Sequence, residues 1–261
     1  MHPLMNIAIK AARHASKNII RATDRLDTIK VTAKKPNDFV TDIDKQAEQE
    51  IIQIIHEAYP DHAIWGEEGG RKGQNEYTWI IDPIDGTNNF IHGHPHFCIA
   101  IAVQCNNIIE HGLVYDPLRQ ELFTASRGSG AYLNERRIRV SQRKNFMGST
   151  IVSGIGNKFI KDIDTYVNVL AKILPEAAGT RRSGSAALDL AYTACGRYDG
   201  CFEMSLAPWD IAAGALLVKE AGGIVDDFSG NGDGSFLKTG NVIAGNSNIF
   251  ALLLQIVNNK A

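Results

Sequence analysis

The stretch Trp79-Ile80-Ile81-Asp82-Pro83-Ile84-Asp85-Gly86-Thr87-Asn88-Asn89-Phe90 constrains this chain more than any other. Its apolar opening, Trp79 to Ile81, reads as a buried strand. Asp82 stands where that strand ends, and Pro83 has no N–H with which to continue a ladder. Carboxylates this close repel unless something positive lies between them, and a hard divalent cation with oxygen ligands is the natural candidate. Gly86 then permits a tight turn and Thr87 caps a helix start, whose free N–H groups and dipole suit a phosphate. Metal ligands abutting a phosphate cradle are the layout of metal-dependent phosphoryl transfer. An aspartyl-phosphate mechanism is disfavoured. It uses two aspartates one residue apart on one strand face, whereas Asp82 and Asp85 are separated by two residues. The plainer alternative is a strand-turn-helix with solvated acids.

Other acids stand at comparable places. Ala63–Gly66 reads as a strand running into Glu67-Glu68-Gly69-Gly70, which is either the lining of a site at a sheet edge or a surface loop. Pro208-Trp209-Asp210 opens a helix rich in small residues (Ala212, Ala213, Gly214, Ala215), so that helix approaches another element closely. Asp210 is a helix cap or a fourth acid for the metals. Asp38, Asp42 and Asp44 precede or open a second helix, where they are either metal ligands or, as the weightier reading, acids that answer to the helix dipole; Thr41 and Asp44 have capping-box spacing. Arg181, beside the glycine-bracketed helix start Gly179–Ser185, steers a phosphorylated ligand or sits at a subunit interface. Glu203 is an acid beside Phe202 and Met204. His92, His94 and His96 lack a companion Cys/His cluster, so loop and packing roles outweigh a transition-metal site. The run Arg136, Arg137, Arg139, Arg143, Lys144 reads as a solvated face.

Between these points the periodicity predicts helices over about residues 3–25, 41–58, 163–174, 186–194 and 249–257, with a polar loop at 34–38. Cys98 to Gln104 and Ile108 to Tyr115 predict a hairpin around Asn106-Asn107, and shorter strands are predicted at 122–126, 131–133, 149–155, 199–203, 222–225 and 241–245. Strands and helices without strict alternation indicate a mixed α/β (α+β) fold built as a layered sandwich. The 261 residues form one domain, 1–261, either as a single body or as two lobes of about 1–145 and 146–261. Hydrophobic content of 44% and charged content of 21% describe a globular protein with ample core, and a net charge of -2 gives no electrostatic case for nucleic acid or membrane. No apolar run approaches a membrane span, and Lys10, Arg13 and Lys17 interrupt what a signal peptide would keep apolar. Four cysteines without zinc spacing are expected to be reduced, in a cytoplasmic protein.

Trp65-Gly66-Glu67-Glu68, Asp82 to Phe90, Gly184-Ser185-Ala186-Ala187 and Pro208-Trp209-Asp210-Ile211-Ala212-Ala213-Gly214 together resemble the inositol monophosphatase family, especially its bacterial branch, over essentially the whole chain. The resemblance implies an α-β-α-β-α sandwich, usually homodimeric, hydrolysing myo-inositol 1-phosphate with two or three Mg²⁺ ions and sensitive to lithium. It implies that Glu67, Asp82, the Ile84 carbonyl, Asp85 and Asp210 hold the metals, and that Thr87 with Glu67 orients and deprotonates the attacking water. By the same resemblance the Gly86/Thr87 backbone holds phosphate, while Asp85, Arg181, Gly184, Ser185, Ala186, Glu203 and Asp210 line the substrate side. Alternatives within the wider family are fructose 1,6-bisphosphate and 3′-phosphoadenosine 5′-phosphate as substrates. Bacterial members are also associated with transcription antitermination, which would make the transcription machinery a partner. Ala33-Lys34-Lys35 departs from the family pattern, so the lysine serving a third metal is not identified; the histidines at 92, 94 and 96 are also denser than the pattern.

Overall fold

The computed structural model describes residues 2–35, 38–156 and 163–258. The chain runs through α1 (Pro3–Thr23), a hairpin of β1 (Val31–Lys35) and β2 (Asp38–Thr41), and α2 (Asp42–Ala58). β3 (Ala63–Gly66), β4 (Gly70–Lys72) and β5 (Tyr77–Asp85) lead through the short α3 (Thr87–Ile91) to β6 (Cys98–Cys105), β7 (Ile108–Asp116), β8 (Glu121–Ser126), β9 (Gly130–Leu133) and β10 (Arg136–Arg137). Then come β11 (Thr150–Ile155), α4 (Ile163–Ile173), β12 (Gly179–Arg181), α5 (Ala186–Ala194), β13 (Gly200–Met204) and α6 (Pro208–Glu220). β14 (Ile224–Asp226), α7 (Phe236–Thr239), β15 (Val242–Gly245) and α8 (Ser247–Asn258) close the chain.

Side-chain alternation along the strands generates the layers. One sheet has the order β10-β9-β8-β7-β6-β5-β3-β4 and the second β12-β11-β13-β15-β14. In the first, Trp79, Ile81, Ile99, Ile101 and Val103 face α1 and α2, meeting Ala11, Ile19, Ile51 and Ile55. Their neighbours Ile80, Ala100, Ala102 and Val114 face the opposite way, against Leu188 and Leu190 of α5 and Ile211 and Leu217 of α6. The same helix pair also covers Val152, Cys201, Val242 and Ala244 of the second sheet. Beyond it, Ile151, Phe202 and Ile243 meet Val169 of α4 and Ile249 and Leu253 of α8. Helix, sheet, helix, sheet, helix is therefore the order of layers, the sandwich expected from the sequence.

The hairpin expected at Asn106-Asn107 forms, with φ of 48° and 66° at the two asparagines. Both are left-handed, which the short amide side chain tolerates, so the mirror-image turn needs no glycine here. Three readings need correction. Of the polar loop at 34–38, Lys34, Lys35 and Asp38 lie instead in the paired strands β1 and β2, whose Val31, Thr32 and Ala33 are exposed and so leave no periodic burial signal, while Pro36 and Asn37 lie outside the described residues. The strand through Trp79 does not stop at Asp82 but continues to Asp85. Thr87 is the first residue of α3, not its cap; Gly86 caps it in a left-handed conformation at φ 96°. The Lys34 and Lys35 side chains lie outside the described residues.

The central helix pair seats deeply because its neighbours lack side chains. A Cβ on Gly112 of β7 would lie 2.7 Å from the Ala213 carbonyl oxygen, and one on Gly214 would lie 2.5 Å from Leu190 Cβ. The close approach read from the small residues of α6 is thus made on two sides. Gly112→Ala is expected to destabilise the protein by about 1–3 kcal/mol through overpacking against a main chain that cannot rotate away. Urea unfolding of the two proteins measures this, and equal midpoints would show that α6 yields.

Candidate active site and metal centre

β3 and β5 run parallel and stay in register up to the pair Gly66 and Ile81. Both strands therefore leave the sheet at the same end, and the next residue of each is an acid. Glu67 donates its N–H to the Ile81 carbonyl at 3.1 Å, and its charge acts on the Asp82 carboxyl. Parallel register alone is enough to bring these two acids together.

Asp85 joins them through a bulge. From Asp82 to Asp85 takes three steps on β5, while their partners Ala100 and Cys98 are two steps apart on β6. The extra residue falls in the Pro83-Ile84 segment, where proline has no N–H to offer the ladder. Regular alternation would send residues 82 and 85 to opposite faces. The bulge restores one face: Ala100 and Cys98 both belong to the core under α5 and α6. The spacing that argued against a shared face is thereby overcome locally. The Ile84 N–H turns back to donate to Asp82 Oδ1 at 3.0 Å.

The third aspartate arrives on α6. Pro208 starts that helix, and Asp210 in its first turn accepts a hydrogen bond from the Ala207 N–H at 2.7 Å. Carboxylate oxygens of Asp82, Asp85 and Asp210 come within 4.8 Å of one another. Burial is the largest influence on Asp82, followed by the charges of Glu67, Asp85 and Asp210, and all of these push its pKa well above the carboxylate range. Asp85 is also raised by burial, to about 6, against the opposing pull of its hydrogen bonds. Those bonds come from Ser185 Oγ at 2.6 Å and the Ala187 N–H at 2.8 Å, where α5 begins. Oxygen donors crowded in this way fit a hard divalent cation, which would offset both the burial of these carboxylates and their mutual repulsion.

Gly86 brings the chain round beside this cluster. A Cβ there would lie 3.1 Å from the His96 carbonyl oxygen and 3.2 Å from that of Gly184. Thr87 Oγ1 then lies 3.0 Å from both Asp44 Oδ1 and the Ile84 carbonyl oxygen. Asp44 is fully buried, and its other oxygen completes the α2 capping box with Thr41. Burial raises its pKa to about 6. The sequence supports the capping role but carries no sign of the link to Thr87, forty-three residues away.

A cleft of about 480 Å³ opens over these groups, and Glu67, Asp85, Gly86, Thr87, Gly184, Ser185, Ala186, Glu203 and Asp210 all border it. Asp82 and Ile84 lie behind its wall, 2% and 1% exposed. Arg181 is placed elsewhere: it is exposed on β12 with its guanidinium on the Thr180 carbonyl, and Arg182 borders the cleft instead. Glu203 packs so closely on Gly154 that a Cβ there would lie 2.2 Å from its Oε2. Burial first, then the charge of Asp189, raises the Glu203 pKa well above normal. Asp189, which the sequence did not single out, also borders the cleft and accepts a hydrogen bond from Ser183. Asp42 is exposed, and the Asp38 side chain lies outside the described residues. His92 and His94 are exposed while His96 is buried toward Asp189, and the metal-holding group found among the described residues is the aspartate cluster.

Metal-free protein is expected to lose stability as pH rises. Folded-state carboxyl pKa values near 6 or above, against about 4 in the unfolded chain, contribute stability that is complete below pH 4 and lost as pH passes through 6. Millimolar Mg²⁺ should reverse the loss, by about 2.7 kcal/mol at a hundredfold excess over its dissociation constant. Thermal melts at pH 5 and 7.5, with EDTA or Mg²⁺, measure both effects. A Mg²⁺-independent midpoint at pH 7.5 would exclude a cation site.

The inositol monophosphatase family model matches residues 1–261. The Nus factor SuhB of Pseudomonas aeruginosa is 50% identical, covering 98% of this chain and 96% of its own. The crystal structure of the extragenic suppressor protein suhB from Bartonella henselae covers 100% of both chains with a TM-score of 0.95 at 38% identity. The Thermotoga maritima IMPase structure covers 98% of this chain and 97% of its own, with a TM-score of 0.89 at 35% identity. On the family model and these relatives, the chain belongs to the inositol monophosphatase family.

Proposed function

We propose that this protein is a Mg²⁺-dependent phosphomonoesterase acting on myo-inositol 1-phosphate. The observation that carries the reading is the convergence of Asp82, Asp85 and Asp210 within 4.8 Å beside the Gly86-Thr87 turn, at the edge of an open cleft. Glu67, Asp82, the Ile84 carbonyl, Asp85 and Asp210 hold two or three Mg²⁺ ions, which when bound supply the Lewis acidity that activates a water and steadies the leaving alkoxide. The residues do the rest. The Gly86 and Thr87 N–H groups receive the phosphate at the start of α3. The Thr87 hydroxyl, donating to Asp44 Oδ1, accepts a hydrogen bond from the attacking water and holds it in line. The water's proton passes to Thr87 Oγ1 as the Thr87 proton passes to Asp44, whose pKa near 6 suits a base at neutral pH, while Glu67 helps to orient the water. Glu203, Ser185 and Ala186 meet the polyol side of the ester. Attack is direct, with no aspartyl-phosphate.

Uncatalysed phosphate-monoester hydrolysis is slow enough that enzymes supply accelerations up to about 10²¹-fold, so loss of a central ligand should be severe. Asp82→Asn is expected to abolish Mg²⁺-dependent phosphate release while its circular dichroism matches wild type; near-normal turnover would remove the metal assignment. Asp44→Asn should lower kcat by about 10²–10⁴-fold if Asp44 acts through Thr87 as a base, and kcat within twofold would dismiss that role. A phosphate-release panel over myo-inositol 1-phosphate, fructose 1,6-bisphosphate and 3′-phosphoadenosine 5′-phosphate tests the substrate, with the first expected to have the highest kcat/KM. Chiral phosphate in labelled water should emerge inverted; retention would mean a covalent intermediate.

A second role is favoured by the name Nus factor SuhB borne by the Pseudomonas aeruginosa relative. In that reading a cytoplasmic homodimer also binds the transcription machinery. Pull-down of transcription complexes with wild type and Asp82→Asn should give equal capture if that contact does not use the active site. No capture by either protein would dismiss it. Lithium inhibition belongs to the enzymatic reading. No helix among the described residues is long and apolar enough to cross a membrane.

A further inference from the structure

Glu48 is an acid that none of the chemistry above uses, yet it is 3% exposed. It lies one turn after Asp44 on α2, so the two carboxylates point from the same face of the helix. Asp44 reaches Thr87; Glu48 reaches the loop that carries Glu67. Its Oε2 accepts the Glu68 N–H at 2.8 Å and its Oε1 the Gly69 N–H at 2.7 Å. The loop is shaped around this carboxylate. A Cβ on Gly66 would lie 2.3 Å from Glu48 Oε2, and one on Gly69 would lie 2.8 Å from Glu48 Oε1. The glycines flanking Glu67-Glu68 thus make room for an acid from another element. With the Glu67 N–H on the Ile81 carbonyl, three successive amides from 67 to 69 are tied down.

We infer that Glu48 is a positioning residue for Glu67: its carboxylate clamps the two amides after Glu67 and so fixes that side chain where the cations bind. The inference rests on the metal-dependent reading above. Both acceptor oxygens are needed, because a carboxamide offers one acceptor and turns a donor toward the other amide. Residues that orient metal ligands typically cost about 10–100-fold in metal affinity or activity when changed. The effect should therefore appear in cation binding itself, without substrate.

The test uses the full chain as wild type, Glu48→Gln, Gly66→Ala and Glu67→Gln, with Mn²⁺ as probe, its free concentration read by electron paramagnetic resonance. Metal-free melts check folding, and hydrogen exchange of the 68 and 69 amides reads the clamp. Glu48→Gln is expected to remain folded, to exchange at least one of these amides faster, and to bind Mn²⁺ about tenfold or more weakly. The Mg²⁺ needed for half-maximal turnover should rise in parallel. Gly66→Ala, which displaces the carboxylate without altering an acid, should reproduce these changes. Unchanged exchange in folded Glu48→Gln overturns the clamp. Faster exchange with wild-type Mn²⁺ affinity overturns the positioning role. If Glu48→Gln and Gly66→Ala both unfold without metal, Glu48 serves the fold and the inference fails. If wild type and Glu67→Gln bind Mn²⁺ alike while the clamp behaves as expected, the metal reading fails instead, and the positioning role with it.

Discussion

Carboxylates taken out of water beside one another hold together only if their mutual repulsion is relieved. Asp82, Asp85 and Asp210 are brought to this point by two unrelated elements of the fold, with Glu67 closing in from a third. Burial, before the charges of neighbouring acids, sets Asp82 and Asp85 above the ordinary carboxylate range. The rest of the architecture serves to keep these groups from moving apart. Hydrogen bonds from Ser185, Ala187, Ile84 and Ala207 hold one oxygen of each aspartate.

Two helices on opposite faces of the first sheet make this possible. α2 lies on one side and sends Asp44 and Glu48 toward the end of the sheet. α6 lies on the other, seated against Gly112, and begins where Asp210 must be. The stability of the layered core and the geometry of the cleft are therefore not separable: a shift of α6 by the width of a methyl group would be felt at Asp210.

Much of this was legible in the sequence because local rules and global structure agree. The buried strand through Trp79, Ile80 and Ile81, the capping box at Thr41 and Asp44, the small residues of α6 and the asparagine turn all form as their chemistry dictates. The layered fold was likewise readable from strands and helices mixed without strict alternation, and the family from the resemblance that the paired acid motifs carry. What could not be read depends on contacts between distant segments. Neither Asp44 meeting Thr87 nor Glu48 holding the loop after Glu67 leaves a mark in spacing, since each looks like an ordinary acid near a helix start. Arg181 and Arg182 are adjacent and chemically alike, and only the backbone direction at the end of β12 decides which one meets the cleft. The β1–β2 hairpin escaped because Val31, Thr32 and Ala33 of β1 are all exposed and show no alternation.

The irregularity at Pro83 and Ile84 carries a further consequence for how such a chain can vary. In a strand, adding or removing a residue exchanges inside for outside downstream. Here the surplus residue is already spent on making an odd separation behave as an even one. Loss of a single codon in this interval would remove the bulge and leave both aspartates on one face, whereas regular pairing at the present length would aim Asp85 at the helices on the wrong side. The two aspartates thus share a face at their present odd separation only for as long as the bulge between them is kept.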